Sequence, residues 1–436
     1  MTTTGTTNGQ ATRLQTAGWQ RFISLGLTAL LPLHVGVPVA SSVFSWGVLL
    51  SIPLLPVVAR SFKSFRVTPA IIGFTALALV SGLLLTSVAS QDHLVNTSYL
   101  WVTVGSVATA VFVSIPTLLW TRACSSTRAA ALAFATGSIL QTLATPDSWD
   151  GNVWKFGLSF PVSVLLLAVV WRARSVALPL LVLALIGTLA ISAGDRSYFG
   201  FVAVVVIMMF LPRARSRPTK AKSIAAVVAL VAAGAAVYSI GVALALKGFL
   251  GERNQIVTAA QLRASGSVLT AGRSESGAAL QLFAHRPLGY GPGVLPSADD
   301  VAIGQQGLAG RGLDLTGQYV REYLFGTGFK LHSITSDLWV NFGLAGIGLA
   351  AVFALACAAA LVVNITRSEA SPLLLLLGVV GLWNLAFSPI GSNLGDTVFC
   401  VAMLLAPKIG GQRDVSERSL APVELAEASR ARSARR

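Results

Sequence analysis

The chain has 436 residues, of which 54% are hydrophobic and only 11% charged, and its mean hydropathy is +0.72. Soluble domains carry about 25% charged residues, so this composition excludes an ordinary globular protein and points to a polytopic membrane protein. The formal net charge of +15 does not argue for nucleic acid, because Lys and Arg gather in short connections between apolar runs, where they set topology.

The first residues, "MTTTGTTNGQAT", are polar, and residues 1–21 are expected to form a disordered cytoplasmic N-terminus with no cleavable signal peptide. Apolar runs follow at 22–39, 42–59, 67–89, 98–120, 128–144, 154–171, 175–193, 198–211, 223–246, 334–363, 372–388 and 394–407. Each is read as a helix crossing a hydrocarbon core of about 30 Å. The expected fold is all-α: a polytopic membrane protein with about twelve transmembrane helices and one long extracytoplasmic loop carrying short helices. Nine spans fall in 22–246 and three in 334–407, with the loop region at 247–333 and a cytoplasmic tail at 408–436. There is no internal repeat and no second soluble domain. Cys124, Cys357 and Cys400 form neither a disulfide framework nor a zinc spacing.

Charge orients the spans. Arg60, Lys63 and Arg66, then Arg122 and Arg128, Arg172 and Arg174, "RARSRPTKAK" at 213–222, and Arg367 fall in every second connection. The positive-inside rule makes that set, and both termini, cytoplasmic. The alternate connections, "SQDHLVN", "TPDSWDGN", "AGDRSYFG" and "SPIGSNLGD", face outward and are poor in Lys and Arg, with Lys155 and Arg196 as exceptions. The long segment 247–332 is also outward, and a structureless loop of that length would be unusual, so function is expected there.

That segment carries Arg253, Arg263, Arg273, Arg286, Arg311 and Arg321. Within "AGRSESGAALQLFAHRP", Ala278, Ala279, Leu282 and Phe283 have the spacing of a short amphipathic helix, opened by Arg273 and ended by Pro287. "PLGYGPG" follows. It lacks the strand and the third-glycine spacing of a dinucleotide fingerprint. Gly289, Gly291 and Gly293 instead allow a sharp turn with close backbone approach, stiffened by Pro287 and Pro292.

Arg196 lies between two apolar spans, against the topology signal. It either pairs with Asp195 at a helix end or serves a site, since ionisable groups at membrane depth are costly and tend to be functional. Arg273, with Glu275 two residues on, is either a solvated helix face or part of the same site. Several guanidiniums at one outer site suit a phosphate-bearing substrate, because guanidinium binds phosphate bidentately and stays charged in a dry pocket. His332 precedes the span at 334, with Ser333 as its expected N-cap. A helix N-terminus disfavours imidazolium and leaves a neutral ring that can take a proton. His285 reads as structural, and His34 and His93 have no basic or glycine-rich context. The Asp299–Asp300 pair and "DSWDG" lack supporting ligands, so no metal and no cofactor is expected. No G-x-S-x-G elbow supports a serine hydrolase.

The order of these motifs resembles the O-antigen ligase and O-antigen polymerase superfamily of bacterial envelope glycosyltransferases. The order is "S-x-G-D-R-S" after a span, a basic connection, a span, a long outer loop with an Arg-led helix and "P-L-G-Y-G-P-G", then "H-S" opening a span that runs into "N-F-G-L-A-G". The resemblance is concentrated in 190–350. It implies a metal-independent glycosyltransferase in the cytoplasmic membrane, with its active site extracytoplasmic. Such an enzyme moves a glycan from a polyprenyl-diphosphate carrier to a glycan or lipid acceptor. It further implies that Arg196 and Arg273 hold the diphosphate and that His332 assists the acceptor. Arg286, Gly289, Gly291, Gly293, Arg311 and Arg321 are then expected to line the substrate mouth, with the glycine turn beside Arg273. The family commonly has "HN" where this chain has His332-Ser333. A transporter or flippase for lipid-linked sugars is the main alternative, although it predicts charges near mid-membrane and paired halves. A non-catalytic membrane scaffold is the other.

Overall fold

The computed structural model describes residues 7–34, 45–145, 151–173, 175–211, 220–309, 311, 313–366 and 371–408. Among them there is no β-strand, only isolated bridges. The protein is all-helical. Among the described residues five helices are long and apolar enough to cross a membrane: Trp46–Ser64, Thr68–Ala89, Thr97–Cys124, Ile224–Leu246 and Ile334–Thr366. Trp154–Val169, Ala177–Ser192, Arg196–Phe210, Pro372–Phe387 and Ile390–Leu404 are apolar but shorter.

In chain order, α1 is Thr7–Leu30, α2 is Trp46–Ser64, α3 is Thr68–Ala89 and α4 is Thr97–Cys124. Then come α5 (Thr127–Ala144), α6 (Trp154–Val169), α7 (Ala177–Ser192), α8 (Arg196–Phe210) and α9 (Lys220–Leu246). The loop region holds α10 (Glu252–Ser265), α11 (Val268–Gly272), α12 (Glu275–His285) and α13 (Ala298–Leu308), and a π-helical turn at Tyr319–Leu324. The chain closes with α14 (Ile334–Thr366), α15 (Pro372–Phe387) and α16 (Ile390–Leu404).

Two expectations change here. The first helix begins at Thr7, so residues 7–21 are helical rather than disordered. The stretch holds no proline, and Gln, Ala, Arg and Leu favour a helix enough to carry it through Gly9 and Gly18 into the apolar segment. Helix α8 begins at Arg196, inside the expected outer connection, because Asp195 caps it: its carboxylate accepts from the Tyr198 N–H at 3.2 Å. The basic stretch at 213–219, Arg174, Arg367, the acidic residues Asp147 and Asp150, and residues 409–436 lie outside the described residues.

The helices gather their ends in two groups. At one end, the Arg122 guanidinium donates to the carbonyls of Ala402 and Leu405, and Arg128 Nε donates to the Ala168 carbonyl at 2.9 Å. Lys408 N–H also donates to the Ser64 carbonyl at 2.9 Å. Cations on the free carbonyls of helix C-termini are favourable for both hydrogen bonding and dipole. At the opposite end, Asn96 N–H donates to Gly293 at 2.7 Å, Ser333 Oγ to the Leu385 carbonyl at 3.0 Å, and Ile390 N–H to the Asp337 carboxylate at 2.9 Å. The loop region packs on this second end around a core of its own that includes Leu282, Tyr290, Leu308, Leu324, Phe329 and Trp339.

The glycine turn fastens that region to the helices. Helix α14 is broken at Gly343 (φ 65°, ψ −151°), a conformation that only glycine adopts readily. One turn earlier, the Val340 carbonyl accepts from both Tyr290 N–H (2.8 Å) and Gly291 N–H (3.0 Å). Thr86 Oγ1, near the end of α3, donates to Pro292 at 2.9 Å, and Trp339 Nε1 donates to Pro287 at 2.9 Å. Gly291 has φ 108°, and a Cβ there would stand 2.4 Å from Thr86 N. The turn therefore wedges backbone against backbone among α3, α4 and α14.

Gly291→Ala should destabilise the whole outer end. The backbone strain alone costs roughly 1–3 kcal/mol, and the clash adds to it. A lower melting temperature of the detergent-solubilised protein checks this; an unchanged melting point would mean that the turn is not a fastening.

Candidate functional site

Arg196 and Arg273 line one cavity of about 1350 Å³. Its walls come from α7, α8 and α9, from α10, and from Trp383 and Phe387 of α15, and most of its lining is apolar: Leu183, Val206, Leu230 and Val237 are typical. Arg196 is the first residue of α8, and its guanidinium donates to Thr258 Oγ1 (2.8 Å) and Gln261 Oε1 (3.4 Å), both on α10. It does not pair with Asp195, whose carboxylate is spent on the helix cap. Arg273 sits in the turn between α11 and α12 rather than on the helix itself. It is half-buried and lies over the Trp383 ring at 5.9 Å, so it is not a solvated helix face. Among the described residues neither guanidinium forms an ion pair. Lys155, the other cation noted in an outer connection, lines the same cavity.

His332 does not line that cavity; it stands beside Glu275 and within electrostatic reach of Arg273. Its Nδ1 is 3.1 Å from Tyr319 Oη and 3.9 Å from Glu275 Oε1, and Tyr319 in turn donates to Glu275 Oε1. Tyr323 stacks on Tyr319 with ring centroids 5.2 Å apart and lies 5.3 Å from the imidazole. Among the described residues His332 is the one non-glycine with a positive φ, 55°. Such backbone costs energy and persists only where surrounding structure enforces it. Here Asp337 enforces it: this buried carboxylate accepts from Leu331 N–H (2.8 Å) and from Ile390 N–H (2.9 Å). Ser333 caps α14, accepting from Ser336 N–H at 3.3 Å. Burial lowers the His332 pKa, the Glu275 charge opposes this, and the Arg273 charge adds to it. Burial is thus the largest cause of the lowering.

The remaining candidates are dispersed. Arg286 caps α12, pairs with Asp92 at 3.3 Å and lies over the Tyr290 ring at 5.1 Å. Arg311 donates to Ser276 Oγ at 3.1 Å on the first turn of α12. Arg321 is exposed, in electrostatic reach of Asp314. Gly289, Gly291 and Gly293 are buried in the turn described above. None of these six lines the arginine cavity. The glycines do not shape a mouth beside Arg273, because their missing side chains make room for Trp339, Thr86 and Leu100 instead.

Three further residues enter that sequence reasoning passed over or ranked low. Tyr319 and Glu275 join His332. His93, which had no context in sequence, is gripped between Asp92 (2.6 Å) and Asp300 (2.8 Å), and Asp300 also accepts from Tyr290 Oη at 2.9 Å. Burial opposes charge on His93, but the two carboxylates outweigh it and raise the pKa. This cluster fastens the glycine turn to the end of α3. The contact spans 207 residues, so no local signal could have found it. Among the described residues no three His, Cys, Asp or Glu side chains gather as metal ligands. No protein-family model, no curated protein and no solved structure matches this chain.

Proposed function

We propose that this protein is a membrane glycosyltransferase of the O-antigen ligase or polymerase type. It would move a glycan from a polyprenyl-diphosphate carrier to an acceptor glycan or lipid on the outer face of the cytoplasmic membrane. The observation that carries this reading is the pair Arg196 and Arg273, both without an ion-pair partner among the described residues, on the wall of one long apolar cavity. Charges in a dry site are costly unless an opposite charge joins them. A diphosphate supplies that charge, and an apolar prenyl chain suits the rest of the wall. In this reading the expected twelve spans would cross the membrane with both termini cytoplasmic. The end bearing Arg196, Arg273 and His332 would face outward.

The chemistry needs little more. The acceptor hydroxyl attacks the anomeric carbon of the donor as its proton passes to neutral His332. The bond from that carbon to the phosphate oxygen breaks, and the diphosphate leaves with the electron pair. The guanidiniums stabilise the charge that develops there, and the fixed geometry of the two substrates supplies much of the remaining advantage. Glu275 Oε2 is buried with no hydrogen-bond partner among the described residues, an acceptor left over for a sugar hydroxyl. A flippase would need the cavity and the arginines but not the acid–base group beside them.

Three outcomes are expected of the reconstituted protein with a lipid-linked glycan donor. Arg196→Lys should fail along with Arg196→Ala, losing roughly 10²–10³ in turnover, because a point-charge ammonium cannot reproduce bidentate phosphate binding. His332→Ala should keep donor binding and lose transfer by roughly 10²–10⁴; transfer at the wild-type rate would remove His332 from the base role. Activity should survive EDTA, and loss on chelation with rescue by magnesium or manganese would contradict the metal-independent scheme. In cells lacking the protein, long glycans accumulating on the carrier indicate a ligase, and single repeat units a polymerase. Single repeat units confined to the inner leaflet indicate a flippase.

A further inference from the structure

The side chains around His332 are joined in one order. Tyr319 Oη donates its proton to Glu275 Oε1, since a carboxylate can only accept. A phenol has one proton. With that proton committed to Glu275, the contact between Tyr319 Oη and His332 Nδ1 at 3.1 Å is a hydrogen bond only if Nδ1 carries the proton and the tyrosine oxygen accepts it. Burial, the hydrogen bond to Glu275 and its charge all raise the Tyr319 pKa, so the phenol keeps its proton. The backbone at His332 leaves the ring little choice of place: Asp337 pins the adjoining Leu331 N–H, and Tyr323 lies against the ring.

We propose that Glu275 and Tyr319 are positioning residues that hold the His332 proton on Nδ1 and so present an unprotonated Nε2 to the acceptor hydroxyl. The inference rests on His332 acting as the base in the proposed transfer. When Nε2 takes the hydroxyl proton, the ring becomes imidazolium, with both nitrogens protonated. Nδ1–H stays on Tyr319 Oη, and Tyr319 keeps its own proton toward Glu275, so no proton moves along the chain of bonds. Glu275 stabilises the new positive charge through the polarised phenol and directly across 3.9 Å. This arrangement places a phenol between carboxylate and imidazole, where a direct contact would otherwise orient the ring. The Arg273 charge opposes the imidazolium, which favours return of the proton to solvent after transfer.

The test does not depend on turnover. The chain has 4 histidines, so 15N-histidine labelling of the full-length protein in lipid nanodiscs gives few ring signals, and that of His332 is identified by its loss in His332→Gln. At neutral pH wild-type His332 should show a protonated Nδ1 and a bare Nε2. Tyr319→Phe should return it toward the Nε2–H form common in free histidine. Protonated Nε2 in the wild type, or an unchanged tautomer in Tyr319→Phe, would overturn the proposal. If the Nδ1–H tautomer is found but His332→Gln still transfers glycan at the wild-type rate, the positioning stands and the base role fails.

Turnover then adds a second reading. Tyr319→Phe should lower kcat by roughly 10- to 100-fold, as loss of an outer hydrogen-bond partner does for a ligating imidazole, with KM for the donor unchanged. The charged and titratable groups facing the ring are Glu275, Arg273, Tyr319 and Tyr323. The neutral ring is the active form, so the rate should fall as pH drops through the lowered His332 pKa. Glu275→Gln removes the group that raises this pKa, so the acid limb should move to still lower pH. A limb that does not move would make Glu275 merely structural.

Discussion

The Val340 carbonyl is the point on which the outer end of this protein turns. It accepts two backbone N–H groups from the glycine turn, just before the break at Gly343. Backbone hydrogen bonds between buried segments cannot be left unmade without a large penalty. Here they tie the loop region to α14, so the segment that brings Arg273 and Glu275 cannot drift from the segment that brings His332. The His93 cluster fastens the same turn from the side of α3, through Asp300 and Tyr290. The glycines matter because three helices approach the turn more closely than any side chain permits.

A second constraint is electrostatic. The arginines of the candidate site have neutral hydrogen-bond acceptors, Thr258 and Gln261, or an aromatic face, Trp383. Two arginines elsewhere are answered by carbonyls or a carboxylate: Arg122 by helix ends, Arg286 by Asp92. The contrast separates charges that finish the fold from charges that are left for something else. Glu275, two residues on from Arg273, is turned toward Tyr319 and His332. Its charge acts on both the imidazole and Arg273, but among the described residues it forms no ion pair with Arg273.

Much of the architecture was legible in the residues. Apolar runs marked the helices, the spacing of Ala278, Ala279 and Leu282 marked the buried face of α12, and Ser333 marked the start of α14. These are local signals: period, cap and breaker act within a few residues of one another. Reading failed where an interaction was not local. The contact of His93 with Asp300, 207 residues away, left no mark near His93 in the chain, and the partners that gather around His332 are brought there by packing.

By itself, the sequence determined that the chain is helical, apolar enough for a membrane, and furnished with isolated cations and one long segment between its spans. Hydrophobicity and backbone preference are properties of each residue and its neighbours, so they survive without a fold. Only the tertiary structure decided that Arg196 and Arg273 share a cavity while Arg286, Arg311 and Arg321 do not, that the glycine turn is a fastening, and that Tyr319 stands between Glu275 and His332. Those outcomes depend on distances between residues tens to hundreds of positions apart, and such distances are set by packing, which no local pattern encodes.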